Sequence, residues 1–143
     1  MDNKVIDFYK ILYPEKYESE YIFTYPLYNE ELKKIIEKSG YEKEFKFKYG
    51  KSLRFLENLK RNCIMNPNLF EKLINSNELY SIILKGTINI RIIFDFQMIE
   101  GREIVILYTC FVERETKDYD KAIKTAMVRR SEIILKGENK YGK

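Results

Sequence analysis

Apolar residues gather most clearly into runs between residues 80 and 112. Runs at 80–84, 88–96 and 103–112 are rich in β-branched and aromatic residues, and Lys85-Gly86-Thr87 and Glu100-Gly101-Arg102 supply turn signals between them. Short, turn-linked runs of this kind predict an antiparallel meander. Residues 21–25 alternate Tyr21, Phe23 and Tyr25 and predict a further short strand. The period turns helical after Asn29, a candidate cap, with Leu32, Ile35 and Ile36 as an apolar stripe, Glu30 and Glu31 at the N-terminal end and Gly40 to close it. Phe45, Phe47 and Tyr49 alternate with Lys46 and Lys48, which predicts a strand with one basic side, ended by Gly50. From Ser52, Leu53, Leu56, Leu59 and Cys63 keep helical spacing until Asn66-Pro67-Asn68 breaks the helix. Leu69, Phe70, Leu73 and Ile74 predict a short second helix, followed by a loop at 75–77. A terminal helix starts near Asp118, with Ala122, Ile123, Ala126, Met127 and Ile133 on its buried side, and residues 136–143 read as a frayed tail.

The expected architecture is α+β, with helices first, then a small antiparallel sheet, then a terminal helix. A length of 143 residues suits one domain. A composition of 45% apolar and 34% charged residues is that of a folded chain rather than a disordered one. Tyr9, Tyr13, Tyr17, Tyr21 and Tyr25 recur every four residues, but Pro14 and Pro26 interrupt any long helix, so these rings are expected to pack an N-terminal segment onto the body.

Charge divides the chain further. Residues 1–44 hold seven basic and ten acidic side chains, whereas residues 45–72 hold seven and two, within a total of +4. The break near 43–45 separates an acidic, tyrosine-rich N-terminal third (1–44) from the basic stretch that follows it. A strip of Lys46, Lys48, Lys51, Arg54, Lys60 and Arg61 follows the break, either as a solvated face or as a track for RNA. Cys63 and Cys110 have neither CxxC spacing nor clustered ligand partners, so neither a disulfide framework nor a metal site is expected. No apolar segment is long enough to span a bilayer, and the first ten residues lack a signal-peptide core, so a reducing cytoplasm is the expected compartment.

The chain contains no histidine. That removes Ser–His–Asp and Cys–His nucleophilic systems and the HExxH zinc motif. Catalysis near neutral pH would fall to Asp, Glu, Lys, Arg, Tyr or Cys.

Two stretches resemble a known family. LYSIILKGTINIRIIF (79–94) is similar to an aromatic-led strand, a basic glycine turn and a second strand carrying an arginine. IVILYTCFVERETKDYDKAI (104–123) is similar to a last apolar strand running through a charged turn into an alanine-centred helix. Together they resemble the RelE/HigB-like toxins, including phage-encoded HigB-like proteins, over residues 45–135. The resemblance implies a RelE/ParE-like fold and a toxin that cleaves mRNA on the ribosome, without metal or other cofactor, under control of a cognate antitoxin. It implies catalytic roles for Arg91, Arg114 and Tyr119, with Lys85, Lys117, Arg54, Lys60 and Arg61 as candidate RNA contacts.

The implied chemistry is attack of a 2′-hydroxyl on the adjacent phosphate, and it suits these residue types. Arginine matches phosphate oxygens bidentately. A tyrosine near its ordinary pKa of ~10 needs cationic neighbours to act as a base at neutral pH. Each residue also has an ordinary structural role available: Arg91 paired with Asp95 or a strand neighbour, Arg114 with Glu113 or Glu115, Tyr119 packed at a helix start, Lys85 and Lys117 as turn lysines. The turn departs from the family's Lys-Lys-Thr type, because Glu113 and Glu115 lie among the cations. These acids either pair with the arginines or mark a weakened site. The alternative from another class is a ParE-like or phage-type inhibitor that binds a host protein such as gyrase and cuts nothing. A PD-(D/E)xK nuclease is set aside, since Glu103-Ile-Val lacks the strand lysine.

Overall fold

The computed structural model describes residues 9–74 and 77–140, with side chains to residue 133. The fold is α+β. Its sheet contains β1 (Ile22–Thr24), β2 (Phe70–Lys72), β3 (Tyr80–Leu84), β4 (Ile90–Ile99) and β5 (Arg102–Val112) in the order β1-β5-β4-β3-β2. Strands β3 to β5 form the expected antiparallel meander, β2 extends it antiparallel beside β3, and β1 joins β5 in parallel. The β4–β5 hairpin turns on Glu100 and Gly101, both at positive φ, the conformation a two-residue turn between twisted strands requires.

Helices α1 (Tyr28–Glu37) and α2 (Glu42–Leu59) and a 3₁₀ segment (Lys60–Met65) cover one face of the sheet, and α3 (Thr116–Lys140) covers the other. Alternation along β4 assigns the faces. Ile90, Ile92, Phe94 and Phe96 join α1 and α2 in one core cluster, while Ile93 joins α3 in the other. Ile93 pairs with Thr109 but Phe94 pairs with Leu107, so Tyr108 is an extra residue on β5. This bulge reverses the alternation. Ile104, Ile106 and Tyr108 face α3, yet Cys110 belongs to the α1/α2 core.

Two predicted elements are corrected. Residues 45–49 are helical, within α2, and Gly50 lies inside that helix. Phe45, Tyr49, Leu53 and Leu56 form its buried stripe, whereas Phe47 is 70% exposed. An aromatic at every second position satisfies a strand, but only Phe45 and Tyr49, four apart, find core. Residues 69–74 form no helix; Phe70–Lys72 pairs antiparallel with β3 instead. Asn29 does not cap α1. Its side chain holds the N-terminal segment, accepting from the Leu12 and Tyr13 amides and donating to the Lys10 carbonyl. The terminal helix starts at Thr116 and runs through Lys140, where a frayed tail was expected from Lys136. The predicted loop at 75–77 and the end of that tail, 141–143, fall largely outside the described residues.

The tyrosine series proves to be a set of ties. The hydroxyls of Tyr13, Tyr17, Tyr21 and Tyr25 donate to Glu42, Glu57, Glu103 and Glu132 at 2.6–2.8 Å. Residues 9–44 are thereby bound to α2, β5 and α3, and they supply β1 and α1 to the main core. Helix α3 is anchored by two adjacent arginines. Arg129 grips both oxygens of Glu31 on α1, at 2.8 and 2.6 Å, and donates to the Tyr108 carbonyl. Arg130 bonds the buried Asp95 of β4 at 3.2 Å and the Asn77 carbonyl at 2.8 Å. Cys63 and Cys110 are buried free thiols. Among the described residues no helix is long and apolar enough to cross a membrane.

Candidate functional site

The odd-numbered positions at the start of β4 bring polar groups under the first turns of α3. Arg91 is only 8% exposed there, on a strand whose other residues are mainly isoleucine and phenylalanine. A buried guanidinium must have its donors occupied. Its Nε donates to the Tyr119 hydroxyl at 2.7 Å, one terminal nitrogen meets Glu113 Oε1 at 2.7 Å, and the other reaches the Ile90 carbonyl at 3.3 Å. The Tyr119 hydroxyl in turn donates to Glu71 Oε2 at 2.5 Å. Hydrogen bonding therefore runs in one direction, from arginine to tyrosine to carboxylate.

Four elements supply this cluster. Glu71 comes from edge strand β2, Arg91 from β4, Glu113 from the end of β5 and Tyr119 from the first turn of α3. The Phe111 ring meets the Tyr119 ring edge-on at 5.1 Å and fixes its plane. Asp118 caps the helix start, accepting from the Arg114 and Glu115 amides at 2.8 and 2.9 Å. These bonds hold its carboxyl below the usual carboxylate range.

Burial, and then the hydrogen bond to Glu71, push the Tyr119 phenol up to about 12, although the Arg91 cation pulls the other way. The net effect keeps this phenol protonated at neutral pH, so it is a donor there. The bases within the cluster are the carboxylates of Glu71 and Glu113.

Of the sequence-derived catalytic candidates, Arg91 and Tyr119 meet directly. Arg114 is exposed and lines a groove between the C-terminal end of α1, β5 and α3. The candidate RNA contacts are dispersed. Lys117 is exposed and pairs with Glu115 at 3.6 Å, and Lys85 is exposed on the β3–β4 turn. Arg54 is exposed on α2. Lys60 sits over the Tyr21 ring at 3.9 Å, and Arg61 binds Glu103 at 2.5 Å while lying over the Phe96 ring. Phe96 belongs to the α1/α2 core, so Arg61 serves the face opposite Arg91.

Glu71 is the member that sequence reasoning missed, because its segment reads as a helix. Pairing of Glu71 with Ser81 at the sheet edge is what turns it toward α3. Among the described residues no group of Cys, Asp and Glu side chains is arranged to hold a metal ion. Comparisons with protein-family models, with curated proteins and with solved structures give no match.

Proposed function

We propose that the chain is a toxin of the RelE/HigB kind, an endoribonuclease acting on mRNA at the ribosome and neutralised by a cognate antitoxin. The observation that carries the reading is the direct bond between Arg91 and Tyr119, the strand arginine and helix tyrosine that the resemblance over residues 45–135 singles out. Arg114 contributes from the neighbouring groove rather than from the Arg91 cluster.

In this reading Glu113 occupies, in the resting protein, the place that a phosphate takes on Arg91. An incoming phosphodiester displaces it, since guanidinium accepts phosphate oxygens in the same geometry. The freed carboxylate accepts the proton of the 2′-hydroxyl as its oxygen attacks phosphorus. The O2′–P bond forms, the P–O5′ bond breaks, and Arg91 holds the charge gathered on the non-bridging oxygens. Tyr119, protonated at neutral pH, turns its one hydroxyl proton from Glu71 to the departing 5′-oxygen as that bond breaks, with Arg91 Nε holding the phenol oxygen. The products are a 2′,3′-cyclic phosphate and a 5′-hydroxyl.

Controlled expression with primer extension on cellular mRNA tests the proposal. Growth arrest with cuts inside translated frames, relieved by Arg91→Ala or Tyr119→Phe in folded protein, supports it; arrest with intact mRNA overturns it. A second reading is the non-catalytic inhibitor of a host protein such as gyrase. It is favoured by the engagement of each of the three Arg91 guanidinium nitrogens by groups of the chain itself. DNA-damage signatures during the arrest would support it.

A further inference from the structure

Several arginines of the sheet, the 3₁₀ segment and α3 are committed within the protein. Arg91, Arg129 and Arg130 are in ion pairs with Glu113, Glu31 and Asp95, and Arg61 pairs with Glu103. Lys38, Arg114 and Lys121 are instead brought to one place. They come from three different elements, all are exposed, and none has an ion-pair partner among the described residues. All three line one groove of about 830 Å³ between the end of α1, the second half of β5 and the first turns of α3. The acid in its lining, Asp118, accepts from the two amides it caps and also attracts Arg114 without a direct ion pair. The lining includes Phe111 from the α3 side of β5, Ile88 and Val112 from the α1/α2 side, and the hydroxyl residues Ser39, Thr109 and Thr125.

We infer that this groove is a nucleotide subsite for single-stranded RNA. Exposed cations beside an aromatic ring match a ligand with a charged edge and a flat apolar face. Phosphates lie against Lys38, Arg114 and Lys121, and a base lies against the Phe111 ring. The volume is within the range of small-ligand sites and admits one nucleotide with room for its neighbours' backbone. Phe111 lines the groove and also touches Tyr119, so a strand leaving the groove passes directly to the Arg91 cluster. The inference deepens the nuclease reading and rests on it for the identity of the strand.

Fluorescence anisotropy of a short labelled oligoribonucleotide tests the subsite, using Arg91→Ala protein so that cleavage cannot interfere. The salt dependence of affinity counts the phosphates engaged, at a slope of about 0.7 per contact for single strands. Lys38→Gln with Lys121→Gln should reduce that slope by about 1.4. Lys38→Glu should weaken binding further, and circular dichroism should show the same fold in each variant. An unchanged slope and affinity in the double variant overturns the subsite. So does an acidic peptide that binds the groove as tightly as RNA and competes with it, because the groove is then a protein-docking surface. Primer extension with unaltered Arg91 keeps the two readings apart. Mutant-sensitive RNA binding without cleavage removes the nuclease and leaves the subsite, whereas cleavage with mutant-insensitive binding does the reverse.

Discussion

The two faces of the sheet solve different problems. The face under α1 and α2 is filled by large apolar and aromatic side chains: Tyr28, Phe45, Tyr49, Phe70 and Phe94 are almost fully buried there. The Tyr28 and Tyr49 hydroxyls bond each other there at 2.7 Å, while the buried Ser52 hydroxyl of α2 has no partner among the described residues. The face under α3 has a smaller apolar cluster built on Ile93, Ile106, Ala122 and Ala126, interrupted by Arg91, Asp95 and their partners. The desolvation of buried charges offsets much of what their pairing gains, so the α3 face contributes less to holding the fold together. The charges it accommodates are the ones that chemistry on a phosphodiester would use.

Phe45→Ala on the aromatic face should have the largest effect on stability. Its ring is fully buried and stacked on Tyr49 at 5.0 Å, and its removal should cost about 3–5 kcal/mol in urea unfolding. Cleavage per folded molecule should be unchanged; a loss of activity in fully folded protein would show that the faces are not separable. Glu113→Gln on the opposite face should behave in reverse, lowering cleavage ~10²- to 10⁴-fold if its carboxylate is the base. A rise in cleavage would mean that Glu113 only blocks Arg91.

The buried Asp95 sharpens the contrast through pH. Burial raises its carboxyl above the ordinary value, although Gln97, Tyr108 and Arg130 all favour the charged form. Between the ordinary and the raised pKa the folded chain binds the proton that the unfolded chain has released. This contribution to stability is therefore present at low pH and is lost as pH rises through the folded pKa. The difference in urea midpoint between unaltered protein and Asp95→Asn should fall across that window; a difference that grows with pH would show that the Arg130 pair outweighs burial. The smallest effect is expected at Lys117→Ala. Its partner Glu115 is largely exposed, and the unfolding midpoint should stay within measurement error.

The meander was legible because its strands combine β-branched residues with turns that allow few alternatives. Helix α2 was misread because Phe47 adds an aromatic at the wrong phase, and only burial distinguishes it from Phe45 and Tyr49. Strand β2 was misread for the converse reason: Leu69, Phe70, Leu73 and Ile74 have helical spacing, yet Phe70–Lys72 pairs with the exposed edge of β3. Local pattern carries no information about that edge. The same ignorance hid Glu71, while Arg91 stands out as a cation in an apolar strand and Tyr119 is singled out by the family resemblance alone. Their partners are long-range, 28 residues apart for Arg91 with Tyr119 and 48 for Tyr119 with Glu71.

The adjacent arginines of α3 have a mechanical consequence at its opposite end. Consecutive helical side chains diverge by about 100°, so Arg129 and Arg130 hold the helix from two directions, one on α1 and one on β4. One such contact would let the cylinder roll about its own axis; two set its roll angle. Tyr119 lies about 15 Å nearer the start of that cylinder, and its hydroxyl rides on an arm of about 6 Å. A roll of about 10° at the anchor would swing the hydroxyl by about 1 Å. That displacement would spoil the 2.7 and 2.5 Å contacts to Arg91 and Glu71. The helix thus acts as a torsion bar, and the aim of its first turn is set where the arginines clamp it.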